Sequence, residues 1–535
     1  MRPSQSSHVA GMEPHHPDAY EPSPPYIPLT TRGKKSLSET KARLVNMYRG
    51  APGTLLGAGM GLVVGYLVTL DAVYPTMRAY DARSNRAIER IMLEPGRAYL
   101  RALTCVALPF AFLNLTLVAA DIASSRTPGV AKLGVRVGLM SLAMSFAIVV
   151  QGVYVGSLVA PTFEGSRYNF RAPAVSLECP TTSTKTSLFF DPVRQIMTCH
   201  ATNQTVFSFG SDEFAPYAID PSVNRLARYT STIQEVIAAV LEITPTRFVE
   251  ATNTNVVALV VGALATGVAI GAHLTQFKSL SSDSAAGNIT VLAALRELVS
   301  VFQIMTSWIA MTTPLALISL VAGPIYAGTH NVFDFTKPTN GLIGVCWYVL
   351  VFVGVAAVHA VVVLPVVAVV GSRGRLSPLR FLWHMRDALI YALHTSSSRK
   401  SLHVLLSTFE RTVGQPTAKT RFAIGTGATL NKNGGALYVS LSVIWLFSNG
   451  GLQTSFSPTK VALLVVLATV GSLAVTPVRN GGMVVVICVF AMLTGLAPPY
   501  AISFLFVAEC IVDPVATVLN AWGNIIVARL LGEAS

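Results

Sequence analysis

The sequence predicts an all-α polytopic membrane protein, and three observations carry that prediction. Of the 535 residues, 52% are hydrophobic and only 12% are charged, whereas a soluble domain carries roughly 25% charged residues. Uncharged apolar runs recur along the chain, and about 20 such residues suffice to cross a bilayer as a helix. Polar residues and turn formers interrupt the apolar runs of the last third. A soluble enzyme, a disordered protein and a fibre are therefore excluded.

The first 49 residues form a separate amino-terminal region. They combine early prolines with basic residues and contain no apolar centre. Such a segment buries little surface, so we expect a disordered tail and not a secretory signal peptide. Basic residues before the first span predict that the tail lies in the cytoplasm.

Uncharged runs predict the membrane spans that follow the tail. They occur at 50–70, 102–120, 137–163, 251–277, 298–333 and 338–372. Further apolar runs, separated by single charges or a charge pair, follow at 422–431, 434–459, 461–478 and 480–508. The cores of soluble proteins seldom sustain so many long uncharged runs, which disfavours buried core helices. We divide the chain into the tail (1–49), a spanning region (50–372) and a C-terminal region (373–535).

The polar segment 164–250 separates the third predicted span from the fourth. Three crossings from a cytoplasmic tail predict that it lies outside the cell, although the arginine-rich stretch 71–101 fits this topology only if the first two helices extend beyond the bilayer. Cys179 and Cys199 can form a disulfide there, and Asn203 begins a glycosylation pattern that is as often accidental as used. We expect a multi-pass protein of the plasma membrane, with an internal membrane as the alternative.

One predicted helix of the C-terminal region carries a polar face. Its polar residues lie within about 80° of arc at helical periodicity. They are Glu509, Asp513, Thr517, Asn520 and Asn524. Because polar groups are costly in lipid, we expect this face to meet a site, a pore or a partner helix; a purely structural polar seam is the alternative.

Three polar or turn-forming stretches interrupt the apolar runs, at 395–399, 431–435 and 475–482. Irregular backbone is tolerated at membrane depth only where it is buried in protein or lines a cavity. Paired interruptions of this kind predict a transporter binding site built from two re-entrant hairpins.

These stretches resemble the glutamate, neutral amino-acid and dicarboxylate transporter family. The serines at 396–398 resemble the tip of its first hairpin, 427–438 (GATLNKNGGALY) resembles its seventh-helix signature, and 509–524 resembles its eighth helix. With gaps, the resemblance covers about residues 45–532. It implies eight transmembrane helices with two re-entrant hairpins. It also implies a homotrimer in membrane lipid, in which helices 3, 6, 7, 8 and the hairpins move as an elevator against helices 1, 2, 4 and 5.

The positions that bind sodium in such relatives are altered. Lys432 and Asn433 stand where these relatives have methionine and aspartate, and Asn524 replaces a second aspartate. Ser141 and Met144 align with a tyrosine and a threonine of another sodium site. Anionic oxygens help to offset the desolvation of a cation, and an ammonium 4 Å from a cation repels it by about 4 kcal/mol at an effective dielectric constant of 20. We expect weakened or absent sodium coupling, unless Lys432 points to water.

The residues assigned to ion coupling are Asn431, Lys432, Asn433, Glu509, Asn520 and Asn524. Glu509 lies one turn before Asp513. Because two like charges in a low dielectric favour protonation of one of them, Glu509 is the candidate proton carrier. A permanent ion pair with Lys432 or Arg479 is the alternative.

The substrate end departs from the family as well. Ala516 replaces the arginine that clamps an acidic side chain, and Gly435 replaces a threonine, whereas Asp513 is retained where the family binds an ammonium. This favours a neutral amino acid, but Arg399 or Arg479 in the hairpins can supply a cation for an acidic substrate or a dicarboxylate. The residues assigned to substrate binding are Ser396, Ser397, Ser398, Arg399, Gly435, Thr476, Arg479, Asp513, Ala516, Thr517 and Asn520.

The sequence therefore predicts a secondary active transporter, a symporter or exchanger, for a small amino acid or dicarboxylate, with proton coupling in place of sodium. An ordinary sodium symporter and a non-transporting or channel-like relative are the alternatives. No cofactor is expected beyond co-transported H⁺ or Na⁺.

The chain has no phosphate loop, HExxH or G-x-S-x-G motif in a soluble domain, which disfavours an enzyme. The net charge of +13 is spread over tail and loops, which disfavours nucleic acid. Gly57, Gly59 and Gly61 lie in an apolar span and predict close helix packing.

Overall fold

The computed structural model describes the chain from residue 47 to residue 533 with several gaps. The described ranges are 47–48, 50–70, 82–125, 129–163, 255–280, 285–327, 341–414, 418–450, 452, 456–477, 480–494, 498 and 501–533, with four short strands between 177 and 209. Most of the predicted tail, together with Cys179, Asn203 and Arg479, lies outside these residues. The predictions made for them therefore stay predictions.

The first three helices follow the predicted apolar runs. They are α1 (Ala51–Thr69), α2 (Ala82–Ala123) and α3 (Val130–Val159), and α3 continues into a 3₁₀ turn at Ala160–Phe163. Helix α2 begins about 20 residues before the uncharged run at 102–120. The charged first half of α2 is therefore helical. This agrees with the expectation that the arginine-rich stretch belongs to a helix that extends beyond the bilayer.

Four short strands lie in the predicted extracellular segment. Strand β1 (Leu177–Glu178) pairs antiparallel with β4 (Ser208–Phe209). Strand β2 (Leu188–Asp191) pairs antiparallel with β3 (Ile196–Cys199), which sets Leu188 opposite Cys199.

The spanning region continues with two long helices and a third that contains a π-helical turn. Helices α4 (Val256–Leu280) and α5 (Ala285–Ala327) are followed by α6 (Gly341–Val358). A π-helical turn at His359–Val363 joins α6 to α7 (Leu364–Gly371).

The described part of the C-terminal region folds into six short helices and one long helix, and three of the breaks between them fall at the predicted interruptions. They are α8 (Pro378–Thr395), α9 (Ser398–Val413), α10 (Ala418–Leu430), α11 (Asn433–Asn449), α12 (Pro458–Gly471), α13 (Gly481–Thr494) and the long α14 (Ile502–Glu533). We call α8 and α9 the first hairpin, and α12 and α13 the second hairpin. Helices α12 and α13 have 14 residues each, fewer than the roughly 20 that a full crossing requires.

Seven helical segments of the described chain are long and apolar enough to cross a membrane. They are Ala51–Val68, Ile91–Ala123, Val130–Phe163, Val256–Gln276, Val291–Tyr326, Leu342–Gly371 and Ile502–Leu531. The helix expected to be the seventh is divided into α10 and α11, of 13 and 17 residues. Neither half reaches about 20 residues, so the count of eight crossings stays a prediction. The protein is an integral multi-pass membrane protein.

Helix α11 forms the centre of the fold. All of its residues from Asn433 to Asn449 are buried, because it packs against α3, α6, α12, α13 and α14. Helix α11 is therefore enclosed by protein, which is the condition under which a membrane protein tolerates irregular backbone at its start.

Close packing of α1 against α5 depends on glycines one turn apart. A Cβ added at Gly57 would overlap the backbone of Pro314, and one added at Gly61 would come within 2.9 Å of Val321. Gly59, by contrast, has no atom within 4 Å of such a Cβ. The prediction of close packing was thus correct for Gly57 and Gly61 and wrong for Gly59, because Gly59 lies on another face of the helix.

We expect Gly57→Ala to lower the thermal stability of the detergent-solubilised protein, because overpacking costs about 1–3 kcal/mol. Gly59→Ala is the matched control and should leave the stability unchanged or slightly raised. Thermal unfolding followed by size-exclusion chromatography measures both. Equal melting temperatures for the two variants would contradict the close approach of α1 to α5.

Candidate functional site

The candidate site is built around the break between α10 and α11. Helix α10 ends at Leu430, and α11 begins at Asn433. The side chains of the break are buried, with exposed fractions of 1% for Asn431, 4% for Lys432 and 0% for Asn433. The alternative in which Lys432 points to water is therefore wrong.

The polar face of α14 lies against this break. Asn520 Oδ1 accepts a hydrogen bond of 2.8 Å from the backbone N–H of Gly434, at the start of α11. Asn524 Nδ2 donates to the carbonyl of Ile424 in α10 at 2.9 Å. Two amides of α14 thus bind both halves of the broken helix. Of the partners expected for the polar face, the broken helix is the one that these two amides contact.

Glycines permit that close approach. A Cβ at Gly434 would overlap the backbone of Ala516, and one at Gly427 would overlap the side-chain amide of Asn524. Ala516 therefore lies at the contact between α14 and the start of α11.

Buried amides and hydroxyls surround the break. Ser145 Oγ of α3 donates to Asn433 Oδ1 at 3.3 Å. Several other atoms are buried and have no hydrogen-bond partner among the described residues. They are both amide atoms of Asn431, Nδ2 of Asn433, Oδ1 of Asn524 and Oγ of Ser141. Buried polar atoms are normally satisfied, so this cluster has capacity for an ion or for water.

Glu509 lies at the other end of the polar face. Its Oε1 accepts a hydrogen bond of 2.7 Å from the hydroxyl of Tyr438 in α11, and Glu509 is 6% exposed. Asp513, one turn later, is half-buried, and its backbone carbonyl accepts from Thr517 Oγ1 at 2.9 Å.

A small cavity of about 70 Å³ lies between the break and the two hairpins. Three of the predicted substrate or coupling residues line it, namely Arg399, Lys432 and Thr476. Gly435 lies next to it, since a Cβ there would contact Val475 at 3.5 Å. Asp513, Ala516 and Asn520 are not among the described residues that line the cavity.

The predicted serines build the tip of the first hairpin. Ser396 ends α8 in the left-handed conformation with φ 46°, and Ser397 Oγ caps α9 by accepting from the backbone N–H of Lys400. Ser398 is the first residue of α9. These serines shape the tip that directs Arg399 towards the cavity, and they are not among its described lining residues.

The first hairpin contacts α2 and α5, and the start of α13 contacts α2, through polar side chains. Arg399 donates to Asn114 Oδ1 at 2.8 Å and to Gln303 Oε1 at 2.9 Å. In the second hairpin, Asn480 Nδ2 donates to the hydroxyl of Tyr99 at 2.6 Å.

That tyrosine hydroxyl lies 3.0 Å from Thr313 Oγ1 of α5. Sequence reasoning did not assign Asn114, Gln303, Tyr99, Thr313 or Ser145 to the site, although Asn114 and Gln303 are polar residues inside uncharged runs.

Known proteins resemble this chain along most of its length. The model of the sodium:dicarboxylate symporter family matches residues 51–533. The neutral amino acid transporter B(0) of Mus musculus is 25% identical over 485 residues, which cover 89% of this chain and 78% of that protein.

Two further relatives are named for excitatory amino acids. Excitatory amino acid transporter 1 of Ambystoma tigrinum is 25% identical over 448 residues, covering 82% of this chain and 77% of that protein. A putative sodium-dependent excitatory amino acid transporter of Caenorhabditis elegans is 25% identical over 326 residues, which cover 61% of this chain and 58% of that protein. Since the family model spans nearly all of the described helices, this chain belongs to the sodium:dicarboxylate symporter family.

Proposed function

We propose that this protein is a secondary active transporter for a small amino acid or a dicarboxylate, in which proton coupling or exchange replaces most of the sodium coupling. The observation that carries the proposal is the buried break at Asn431–Asn433. It contains the ammonium of Lys432 and the amide of Asn433 at positions where sodium-coupled relatives carry methionine and aspartate.

The charge of Lys432 supports weakened sodium coupling. The side chain is 4% exposed and lines the cavity beside the break. Water therefore screens its charge poorly, and a cation a few ångströms away is repelled more strongly than at a surface. Asn433 and Asn524 offer neutral oxygens where a carboxylate would offset the desolvation of sodium.

One observation favours ordinary sodium symport as the second candidate. Asn431 Oδ1, Asn524 Oδ1 and Ser141 Oγ are buried oxygens without partners among the described residues. Neutral oxygens of this kind are ligands for hard cations. Sodium binding by these groups alone would have to overcome the nearby ammonium.

Glu509 is the proposed proton carrier. It is an acid 6% exposed within a membrane-spanning helix, and such residues commonly belong to proton or ion pathways. The hydroxyl of Tyr438 donates a hydrogen bond to its Oε1. Both residues lie beside the second hairpin, since Tyr438 also contacts Met483 of α13.

The proposed transport mechanism is an elevator motion. The hairpins, α3, α6, α7, α10, α11 and α14 would move together against α1, α2, α4 and α5. The hydrogen bonds of Arg399 and Asn480 to α2 and α5 would cross the sliding surface. The homotrimer, glycosylation at Asn203 and a plasma-membrane location belong to the same proposal and rest on the family resemblance and the sequence.

Uptake of labelled amino acids and dicarboxylates into proteoliposomes, under separate sodium and pH gradients, tests the coupling. We expect uptake driven by an inward proton gradient without sodium. Glu509→Gln cannot exchange a proton and should abolish the gradient-driven part while substrate exchange persists. Asp387→Asn, at a side chain that is 78% exposed, should behave as the wild type. Strict dependence on sodium in the wild type would overturn the coupling proposal.

The double variant Lys432→Met, Asn433→Asp removes the ammonium and restores a carboxylate at the break. We expect it to gain sodium-dependent uptake, because repulsion is removed and an anionic ligand is added. The measurement is uptake against sodium concentration, with Lys460→Met as the control for loss of a positive charge. If the wild type and every variant fail to bind or move any substrate, a non-transporting or channel-like protein becomes the better proposal.

Tyr99→Phe removes the hydroxyl that accepts from Asn480 but keeps the ring packed against Phe506. One hydrogen bond contributes about 0.5–1.5 kcal/mol, so we expect substrate exchange to become roughly 2- to 10-fold faster if hairpin release limits the rate. The control is Tyr154→Phe, at a side chain of α3 that is 66% exposed. An unchanged exchange rate in Tyr99→Phe would argue against this contact as a brake on the motion.

A further inference from the structure

We infer that the turn before α8 and the first half of that helix bind an anionic phospholipid of the bilayer through its phosphate-containing head group. The residues of this proposed lipid site are Arg373, Arg375, Arg380, Trp383 and Arg386. The inference goes beyond the proposed transport function and does not depend on the substrate or on the coupling ion.

The helix before the turn shows where the chain leaves the bilayer. The segment Leu342–Gly371 is long and apolar enough to cross a membrane. Near its end, Val369 and Val370 are 40% and 71% exposed. Exposed valines on such a helix are expected to face lipid chains, so the bilayer extends to the end of α7.

Two arginines lie in the turn that follows α7. Arg373 and Gly374 have positive φ angles of 54° and 79°, a left-handed conformation that ends a helix. Arg373 and Arg375 are both exposed. Since they directly follow an apolar span, we expect their guanidinium groups to lie at the depth of the lipid head groups.

Helix α8 exposes one largely apolar face. Its opposite face is buried and consists of Phe381, Met385, Ala388, Leu389 and Ala392. At 100° per residue, the exposed side chains at 379, 383, 386 and 390 lie within about 60° of arc. They are Leu379, Trp383, Arg386 and Ile390. Three apolar side chains and one cation suit the boundary between lipid chains and head groups.

Trp383 and Arg386 form a pair on this exposed face. Arg386 Cζ lies 4.3 Å from the centroid of the Trp383 ring, within the range of a cation–π interaction. The tryptophan is 67% exposed, and tryptophan is enriched at membrane–water interfaces because its ring is amphipathic. The pair therefore holds a cation next to a side chain that favours the head-group layer.

The lipid site carries an excess of positive charge. The segment 371–394 contains four arginines and a single acid, Asp387, whose Oδ1 lies 3.5 Å from Arg386 Nε. Arg373, Arg375 and Arg380 form no ion pair with any residue that the structure describes. Their charges are therefore available to an anion from outside the described chain.

The predicted topology indicates which leaflet supplies that anion. With the tail in the cytoplasm and 164–250 outside, the crossings of α4, α5 and α6–α7 return the chain to the cytoplasm at the turn. The cytoplasmic leaflet carries anionic phospholipids, which attract basic segments next to a span. A phospholipid also supplies acyl chains for the apolar part of the exposed face, which a soluble phosphate compound does not.

Phosphatidylserine and phosphatidylcholine with identical acyl chains test the inference. Native mass spectrometry of the full-length protein, released from neutral detergent micelles, measures the binding of each lipid. We expect the tightest phosphatidylserine to bind at least about tenfold more tightly than phosphatidylcholine. Equal binding of the two lipids would overturn the inference. The soluble head group glycerophosphoserine should not displace the lipid at equal concentration, and displacement would assign the site to a soluble anion instead.

Paired variants connect the binding to this site. Arg373→Gln with Arg375→Gln should weaken phosphatidylserine binding about 25-fold, roughly fivefold per arginine. Arg380→Gln with Arg386→Gln should have a similar effect. Arg373→Lys with Arg375→Lys keeps both charges and should retain most of the affinity. All four arginines are exposed, so we expect these variants to fold.

The matched control is Lys132→Gln with Arg136→Gln. It removes two exposed positive charges from the first turns of α3, which the same topology places on the cytoplasmic side. This variant should bind phosphatidylserine as the wild type does. A loss as large as that of the Arg373 and Arg375 pair would place the lipid elsewhere and contradict the inference.

Discussion

The constraint on which the site depends is a helix that ends inside the protein and begins again after two non-helical residues. Its backbone groups cannot reach bulk water, so protein must satisfy them. The amide of Asn431 bonds to the carbonyl of Gly427, that of Ala436 to Lys432, and that of Gly434 to the side chain of Asn520. The last bond requires α14 to approach so closely that only glycine fits at position 434. The break therefore fixes where the polar face of α14 lies.

The arrangement of the break, the first hairpin and α14 also determines which charged side chains the site contains. The polar face of α14 contributes the acids Glu509 and Asp513, and the break and first hairpin contribute Lys432 and Arg399. Of these acids, Asp513 lies within electrostatic range of Lys432, as does Arg399. Carboxylates at positions 433 and 524 would add two negative charges to this part of the protein, whereas the amides of Asn433 and Asn524 add none.

The sequence predicted the local features of the site but not its long-range contacts. The break at 431–433, both hairpins and the face of α14 could be read from interruptions and periodicity, because these are properties of consecutive residues. The burial of Lys432 could not be predicted from the sequence, since it depends on how the hairpins pack over the break. Asn114, Gln303 and Tyr99 were missed because their partners lie 285, 96 and 381 residues away. Gly59 was wrongly grouped with Gly57 because glycine spacing alone does not identify which face of α1 meets α5.

Arg399 links the cavity to the helices around it. Its terminal nitrogens donate to Asn114 in α2 and Gln303 in α5, and the same side chain lines the cavity. A planar guanidinium binds a carboxylate best with two parallel N–H bonds. A carboxylate that paired with Arg399 would share the guanidinium with these two amides. A ligand in the cavity and the hold of the first hairpin on α2 and α5 would then depend on one group, so any difference in the strength of the amide bonds with and without ligand would couple occupancy of the cavity to the position of the hairpin.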